Sequence, residues 1–291
     1  MNYDLAGQIA AVRKDGKKPK VAIQGFEGSF HQIAAYGALG EDIEIIPCAT
    51  FRQVAVAIEK GEADMGLMAI ENSIAGSILP NYNILQNTGV KIVGETFLAI
   101  KQNLMVNPGV KIEEVEEVHS HHMALYQCAD FLDQHQWKLV ETEDTALSAK
   151  KLAESGARNQ AAVAGELAAE LFGLEIIAEN INTIKDNYTR FLILAPINSD
   201  IVAHNADKAS VYVKTDHQNG SLLKVLKALE NSDINMTKLQ SYPIPSEPWH
   251  YTFHIDMEFG NVEVFIRTLD MMRAASEEIN VYGVYKKGIN I

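Results

Sequence analysis

Asn187-Tyr188-Thr189-Arg190-Phe191 brings together two side chains suited to handling a carboxylate: the planar guanidinium fork of Arg190 and the hydroxyl of Thr189. A Thr-Arg pair on a strand is surface decoration more often than not, so its weight depends on its company. Ile70-Glu71-Asn72-Ser73-Ile74-Ala75-Gly76-Ser77 follows an apolar run and offers amide and backbone N–H groups to a cleft. An ordinary strand-to-loop transition explains that segment equally well. In Gly25-Phe-Glu-Gly28-Ser29-Phe30-His31 the glycines permit close backbone approach, while Ser29 caps a helix whose first N–H groups face an anion. A plain capped turn is the commoner explanation. His119-Ser120-His121-His122 suggests metal, but no further ligand stands at a recognisable spacing, so no metal is expected. Cys128 reads as a small buried hydrophobe rather than a nucleophile.

The scaffold for these residues is written in alternating patterns. Strands are expected at Val21–Ile23, Glu44–Cys48, Met65–Ile70, Val115–Ser120, Lys138–Glu141, Ala161–Ala164 and Phe191–Ala195. Helices are expected at Ile33–Leu39, Phe51–Lys60, after Ser77, at Met123–Gln134, Thr145–Glu154 and Glu166–Phe172. The apolar-alternating stretch Phe97–Val106 is long enough to cross between two lobes. Residues 20–196 therefore predict an α/β region of two lobes with a ligand cleft at strand ends. Residues 1–19 form a leader with a short amphipathic helix over 3–13, and 197–208 a polar linker. Residues 209–291 follow with a βαββαβ order, the ferredoxin-like layout.

Composition excludes several classes. With 291 residues, 47% hydrophobic and 22% charged, the chain suits two or three globular units. A net charge of -13 argues against nucleic acid as a partner. Two distant cysteines form no disulfide framework, which fits a reducing compartment. The basic residues near the start follow the apolar patch instead of preceding it, so no signal peptide is expected. No apolar run reaches membrane-spanning length, and a cytoplasmic protein is the expectation.

Taken in order, the segments resemble the prephenate dehydratases from about Val21 to Lys287. The resemblance rests on the 25–30 motif, Glu71-Asn72-Ser73 with Gly76-Ser77, and Ser120-His121 with Ala124-Leu125-x-Gln127-Cys128. It continues through Asp144-Thr145-Ala146, Ala161-Ala162-Val163-Ala164 with Phe172-Gly173-Leu174, and Asn187-x-Thr189-Arg190-Phe191. It implies a periplasmic-binding-protein-like two-lobed catalytic fold with a C-terminal ACT-type regulatory domain. It also implies a reaction without cofactor: prephenate loses carbon dioxide and water to give phenylpyruvate, under feedback by L-phenylalanine. Thr189 is then the essential hydroxyl, Arg190 the carboxylate anchor, and Asn72, Gln127, Ser29, Ser73, Ser77 and Phe191 substrate-binding residues. Glu71 is an alternative proton source, with holding the loop an equal reading. His31, His122 and Gly165 stand where Ser, Pro and Ser are more usual.

In the C-terminal region the resemblance implies an effector site at Gly220, Ser221, Leu222, Gln240 and Ser241, with Gln240 and Tyr242 replacing a usual Glu and Arg. Pairing of sheet edges between chains implies a homodimer or homotetramer. Arogenate dehydratase and a non-enzymatic effector-binding protein are the alternatives.

Overall fold

Buried apolar strands set the architecture, and capped helices cover them. The computed structural model describes residues 17–201, 203, 205–230, 232–244 and 247–291, so the helix expected over 3–13 lies outside the described residues. The first lobe contains strands β1 (Lys20–Gln24), β2 (Glu44–Cys48), β3 (Met65–Asn72), β4 (Gly76–Ser77) and β5 (Val90–Ala99). Its helices are α1 (Phe30–Leu39), α2 (Phe51–Glu59) and α3 (Leu79–Gln86). Val21, Ala22 and Ile23 are wholly buried, as are Met65, Leu67 and Met68, which is why β1 and β3 run parallel beneath helices on both faces. Ser29 and Thr50 cap α1 and α2, each side chain accepting a backbone N–H of the first turn. Each such cap contributes about 1 kcal/mol.

The second lobe follows with β6 (Asn103–Val106), β7 (Glu117–His121), α4 (His122–Gln127), α5 (Ala129–Leu132), β8 (Lys138–Thr142), α6 (Thr145–Ser155), β9 (Gln160–Ala164), α7 (Glu166–Phe172) and β10 (Glu175–Ala178). The chain then returns to the first lobe as β11 (Tyr188–Pro196), inserted antiparallel between β3 and β5. The strand orders are β2-β1-β3-β11-β5, with β4 on β3, and β10-β6-β9-β7-β8. Two crossings therefore join the lobes, one between β5 and β6 and one between β10 and β11.

The single helix expected over 123–134 is broken at Cys128. Thr183, on the returning crossing, takes over its hydrogen bonds: its N–H donates to the Gln127 carbonyl at 2.8 Å, and its hydroxyl accepts the Asp130 N–H at 3.1 Å. The first half of β5 and all of β10 have no counterpart in the expected elements. β5 is buried on both faces, which erases the alternation that marks a strand.

A third sheet contains β12 (Lys208–Lys214), β13 (Ile234–Pro243), β14 (Tyr251–Phe259) and β15 (Glu278–Tyr285), all antiparallel in the order β13-β14-β12-β15. Helices α8 (Ser221–Leu226) and α9 (Val262–Ala274) cover one face. Its other face presses on the first lobe: Tyr212, Tyr282 and Tyr285 share one core with Met68, Ile70, Leu192 and Leu194. At Gly283 and Gly288 the backbones meet so closely that a Cβ would stand 2.1 Å from the Ile92 carbonyl oxygen and 2.3 Å from that of Glu95. The chain end extends the first sheet, with Ile291 N–H donating to the Phe97 carbonyl at 2.9 Å. Ile201, in the segment read as a linker, is buried in the first-lobe core. Among the described residues no helix is long and apolar enough to cross a membrane.

Candidate active site

The lobes enclose a cavity of about 260 Å³. Its walls come from the start of α1 (Ser29, His31), the end of β3 (Asn72), β11 (Thr189, Phe191), the crossing (Ile100, Gln102), α4 (Met123, Gln127) and the start of α6 (Asp144, Thr145). The glycines of the 25–28 turn serve the meeting of the lobes: a Cβ on Gly28 would stand 2.9 Å from the Ala168 backbone on α7, and one on Gly25 would stand 3.2 Å from the Asp144 carboxyl. Both have positive φ, which only glycine adopts freely. Gly165, capping α7 without a side chain, leaves room for the Phe30 ring, which a Cβ there would meet at 3.1 Å.

A chain of amides organises the cavity. Asn72 Nδ2 donates to Thr189 Oγ1 at 3.0 Å, to Asn187 Oδ1 at 2.7 Å and to the Tyr188 carbonyl at 3.1 Å. Asn72 Oδ1 in turn accepts the N–H groups of Ile74 and Ala75. The wholly buried Asn187 donates to Gln127 Oε1 at 3.2 Å, so the Gln127 amide joins the lobes and turns its own N–H groups toward the cavity. Asn72 takes one acceptor site of the Thr189 oxygen, which leaves the hydroxyl proton available to a further acceptor. Phe191, 1% exposed, forms the floor and meets the His31 ring edge-on at 4.9 Å.

A register step between Arg190 and Phe191 makes Ile70 an extra residue in β3. This bulge keeps Ala69 and Asn72 on the cleft side while Ile70 and Glu71 face the other way.

The Arg190 side chain is not part of the cavity lining. It follows Thr189 on a strand and so points to the opposite face. There its Nε donates to Glu95 at 2.7 Å, Nη1 to Glu71 at 3.0 Å and to Asp256, and Nη2 to Tyr285 Oη at 3.1 Å. Burial opposes its charge, but Asp256, Tyr285 and Glu95 outweigh burial and raise its pKa well above the ordinary value. The same geometry places Glu71 outside the cavity lining, bonded to Arg190 and Lys238. Burial alone would push its carboxyl up, but the hydrogen bond from Lys238 and the charge of Arg190 bring it below the ordinary value.

Ser73 and Ser77 also lie outside the cavity lining. Ser73 Oγ accepts the Tyr188 N–H at 2.9 Å, and Ser77 Oγ accepts from Lys238 Nζ at 2.9 Å. Ser29, Asn72, Gln127, Thr189 and Phe191 are the expected site residues that the fold brings together.

Among the described residues no lysine or arginine lines the cavity. Residues at the starts of α1, α4 and α6 stand in its walls, with their first-turn N–H groups bonded to the capping side chains of Ser29, His121 and Asp144. Two lining groups were not singled out from the sequence as site residues. Asp144 caps α6, accepting the Leu147 N–H at 2.9 Å, and burial pushes its carboxyl up. Its only trace is the Asp144-Thr145-Ala146 motif. Burial lowers the His31 pKa to about 3, so the ring is neutral, and its Nε2 is buried with no partner.

Elsewhere, His119 pairs with Glu117 at 3.2 Å and His121 Nδ1 accepts the Met123 N–H. Burial pushes the Cys128 thiol up to about 12.

A second cavity of about 230 Å³ lies in the C-terminal sheet and is lined by residues 215–218, 220–223, 250, 251 and 253. It includes Gly220, Ser221 and Leu222. Gln240 and Ser241 stand outside its lining: Gln240 bonds to the Ser241 carbonyl on β13. Gly220 has φ 80°, the left-handed conformation at the cap of α8.

Two α/β lobes joined by two crossings, with a polar cleft and a third sheet behind, define a small-molecule-handling protein with an attached accessory unit. Comparison with known proteins makes this specific. The prephenate dehydratase family matches residues 21–199. Arogenate dehydratase/prephenate dehydratase 2, chloroplastic, of Arabidopsis thaliana is 34% identical over 96% of this chain and 76% of its own length. The structure of a prephenate dehydratase from Arthrobacter aurescens in complex with L-Phe superposes with a TM-score of 0.82 at 27% identity, over 92% of this chain and 89% of that one. The structure of GqqA, described as a novel type of quorum quenching acylase, superposes with a TM-score of 0.84 at 31% identity, over 92% and 98%. The chain belongs to the prephenate dehydratase family.

Proposed function

We propose that this chain is a carbon–oxygen lyase that converts prephenate to phenylpyruvate, carbon dioxide and water. The observation that carries the reading is the Thr189 hydroxyl, held by Asn72 at the wall of the interlobe cavity. The electrons of the ring-to-carboxylate bond become part of the aromatic ring as carbon dioxide departs. The carbon–oxygen bond to the ring hydroxyl then breaks, and that oxygen takes one proton to leave as water. Thr189 supplies the hydrogen bond, and relays the proton, at the departing oxygen. Helix N-terminal N–H groups hold the anionic groups, and the chain between Gln127 and Asn72 fixes the lobes around them. No electrons are gained or lost overall, so the chemistry calls for no redox cofactor.

The catalytic region spans residues 20–196 and an ACT-type regulatory domain spans 209–291 in this reading. L-phenylalanine is the effector, taken up near Gly220, Ser221 and Leu222, in a homodimer or homotetramer. Support comes from the L-Phe complex of the Arthrobacter aurescens relative and from the cavity at that loop.

Arogenate in place of prephenate is favoured as an alternative by the double name of the Arabidopsis relative. Hydrolysis of an acyl amide is a second reading, favoured by the acylase-described structure and the apolar wall of Phe30, Phe51, Ile78 and Met123. Purified protein incubated separately with prephenate, arogenate and an N-acyl homoserine lactone decides among them by product analysis. Phenylpyruvate from prephenate is expected, and inhibition on adding phenylalanine. Turnover of the lactone alone would overturn the dehydratase reading.

A further inference from the structure

The cleft wall at Asn72 is one side of a very short hairpin. β3 ends in Glu71 and Asn72, and β4 returns as Gly76 and Ser77, with Glu71 opposite Ser77 and Asn72 opposite Gly76. A two-residue strand contributes few backbone hydrogen bonds, so such a hairpin needs outside support to hold one geometry.

That support comes from the C-terminal sheet. Lys238, on β13, places its ammonium group between the two sides of the hairpin, donating to the Glu71 carboxylate and to Ser77 Oγ. Its side chain is 14% exposed, so the contact is largely shielded from water and salt. Glu71 is further held by Arg190, whose other donors go to Glu95, Asp256 and Tyr285. On each of the paired strands β3 and β11 the neighbouring residue faces the cleft: Asn72 beyond Glu71, and Thr189 before Arg190.

We propose that Lys238 is a positioning residue for the dehydration. By clamping Glu71 and Ser77 it fixes the hairpin that aims Asn72 at Thr189, so the C-terminal sheet completes the back of the catalytic site. This rests on the dehydratase reading for its kinetic consequences but not for its structural ones.

The same geometry gives the C-terminal cavity a path to the cleft. Tyr251 and Phe253 of β14 line that cavity, Phe253 is paired with Ser241 of β13, and further along the two strands Asp256 is paired with Lys238. Asp256 and Lys238, which hold Arg190 and Glu71, thus sit side by side. An occupant that shifts β13 and β14 moves both holds together.

The test compares Lys238→Met with Lys238→Arg in the full chain. Met keeps the apolar length but donates nothing, whereas Arg keeps donors for both partners. In the Met variant kcat should fall roughly 10- to 100-fold with KM changed less than about threefold, because misplaced groups slow chemistry more than binding. The Arg variant should recover to within about threefold of the parent. Phenylalanine should still bind the Met variant by calorimetry while its inhibition weakens.

A second readout needs no substrate. The Ile74 and Ala75 amides, which donate to Asn72 Oδ1, should exchange with solvent about tenfold faster in the Met variant, as local opening becomes easier. Parental kcat together with parental exchange at both amides would overturn the proposal, as would an Arg variant as slow as the Met variant. If the parent protein turns over no prephenate, the dehydratase reading fails, and the exchange measurement still decides whether the clamp exists.

Discussion

The two faces of the β3–β11 pair follow opposite rules. Toward the cleft stand neutral groups, Asn72 and Thr189, linked through Asn187 to Gln127. Toward the C-terminal sheet stand Glu71 and Arg190, joined by Glu95, Asp256, Lys208 and Lys238. The contrast is that the fixed charges of these strands face the third sheet, while their cleft side carries neutral amides and hydroxyls.

The largest effect should come from the neutral face. Thr189→Val removes the hydroxyl and keeps the shape, so kcat for prephenate should fall roughly 10²- to 10⁴-fold with the melting curve little changed. Near-parental turnover would take Thr189 out of the chemistry.

On the charged face the loss should be in stability instead. Arg190→Met takes one charged partner from Glu95, whose side chain is 0% exposed and keeps Lys208 as an ion-pair partner, and from Asp256, which keeps the Ser210 hydroxyl. Breaking a buried ion pair on one side costs about 3–5 kcal/mol, to be read by denaturant titration. A stable variant with a tenfold higher KM would return Arg190 to substrate binding and undo the contrast.

Smaller effects sharpen the picture of the joint between the sheets. Gly283→Ala forces a Cβ against the Ile92 backbone and should cost about 1–3 kcal/mol, as overpacking does. Acid should loosen the same joint by stages. Burial lowers the His254 pKa from 6.5 to about 4, so the folded state favours the neutral ring. Its contribution is therefore complete above pH 6.5 and lost as pH falls toward about 4, at up to about 1.4 kcal/mol per pH unit. His254→Phe should flatten that part of the pH–stability curve. Asp256 is lowered too, since Arg190 and Ser210 outweigh its burial, so its contribution is lost only further into acid, below the ordinary carboxylate range.

Much of this was legible in the residues. Most strands and helices follow from apolar runs and caps, because burial on one side leaves a periodic trace, as in α2 with its Thr50 cap. Asn72, Thr189 and Gln127 are named through the resemblance to the prephenate dehydratases, and the fold brings all three to one cavity. The direction of Arg190 was not legible. Residue type says that a guanidinium seeks carboxylates, but Glu95 and Asp256 lie 95 and 66 residues away, and it takes the β5–β11 pairing to bring the first near and the packed third sheet to bring the second. Ser77 misled for the same reason, since its partner Lys238 is 161 residues distant. The bulge at Ile70, which sends Asn72 and Glu71 to opposite sides, likewise has no local marker in the sequence.

The central claim is that Asn72 and Thr189 act as one unit on the substrate, and a double-mutant cycle on kcat for prephenate tests it directly. Asn72→Ala and Thr189→Val should each be slow, and the double variant should lie within about threefold of Thr189→Val alone, because Asn72 has nothing left to orient. A double variant slowed by the full product of the two single effects would show two independent groups and contradict the account.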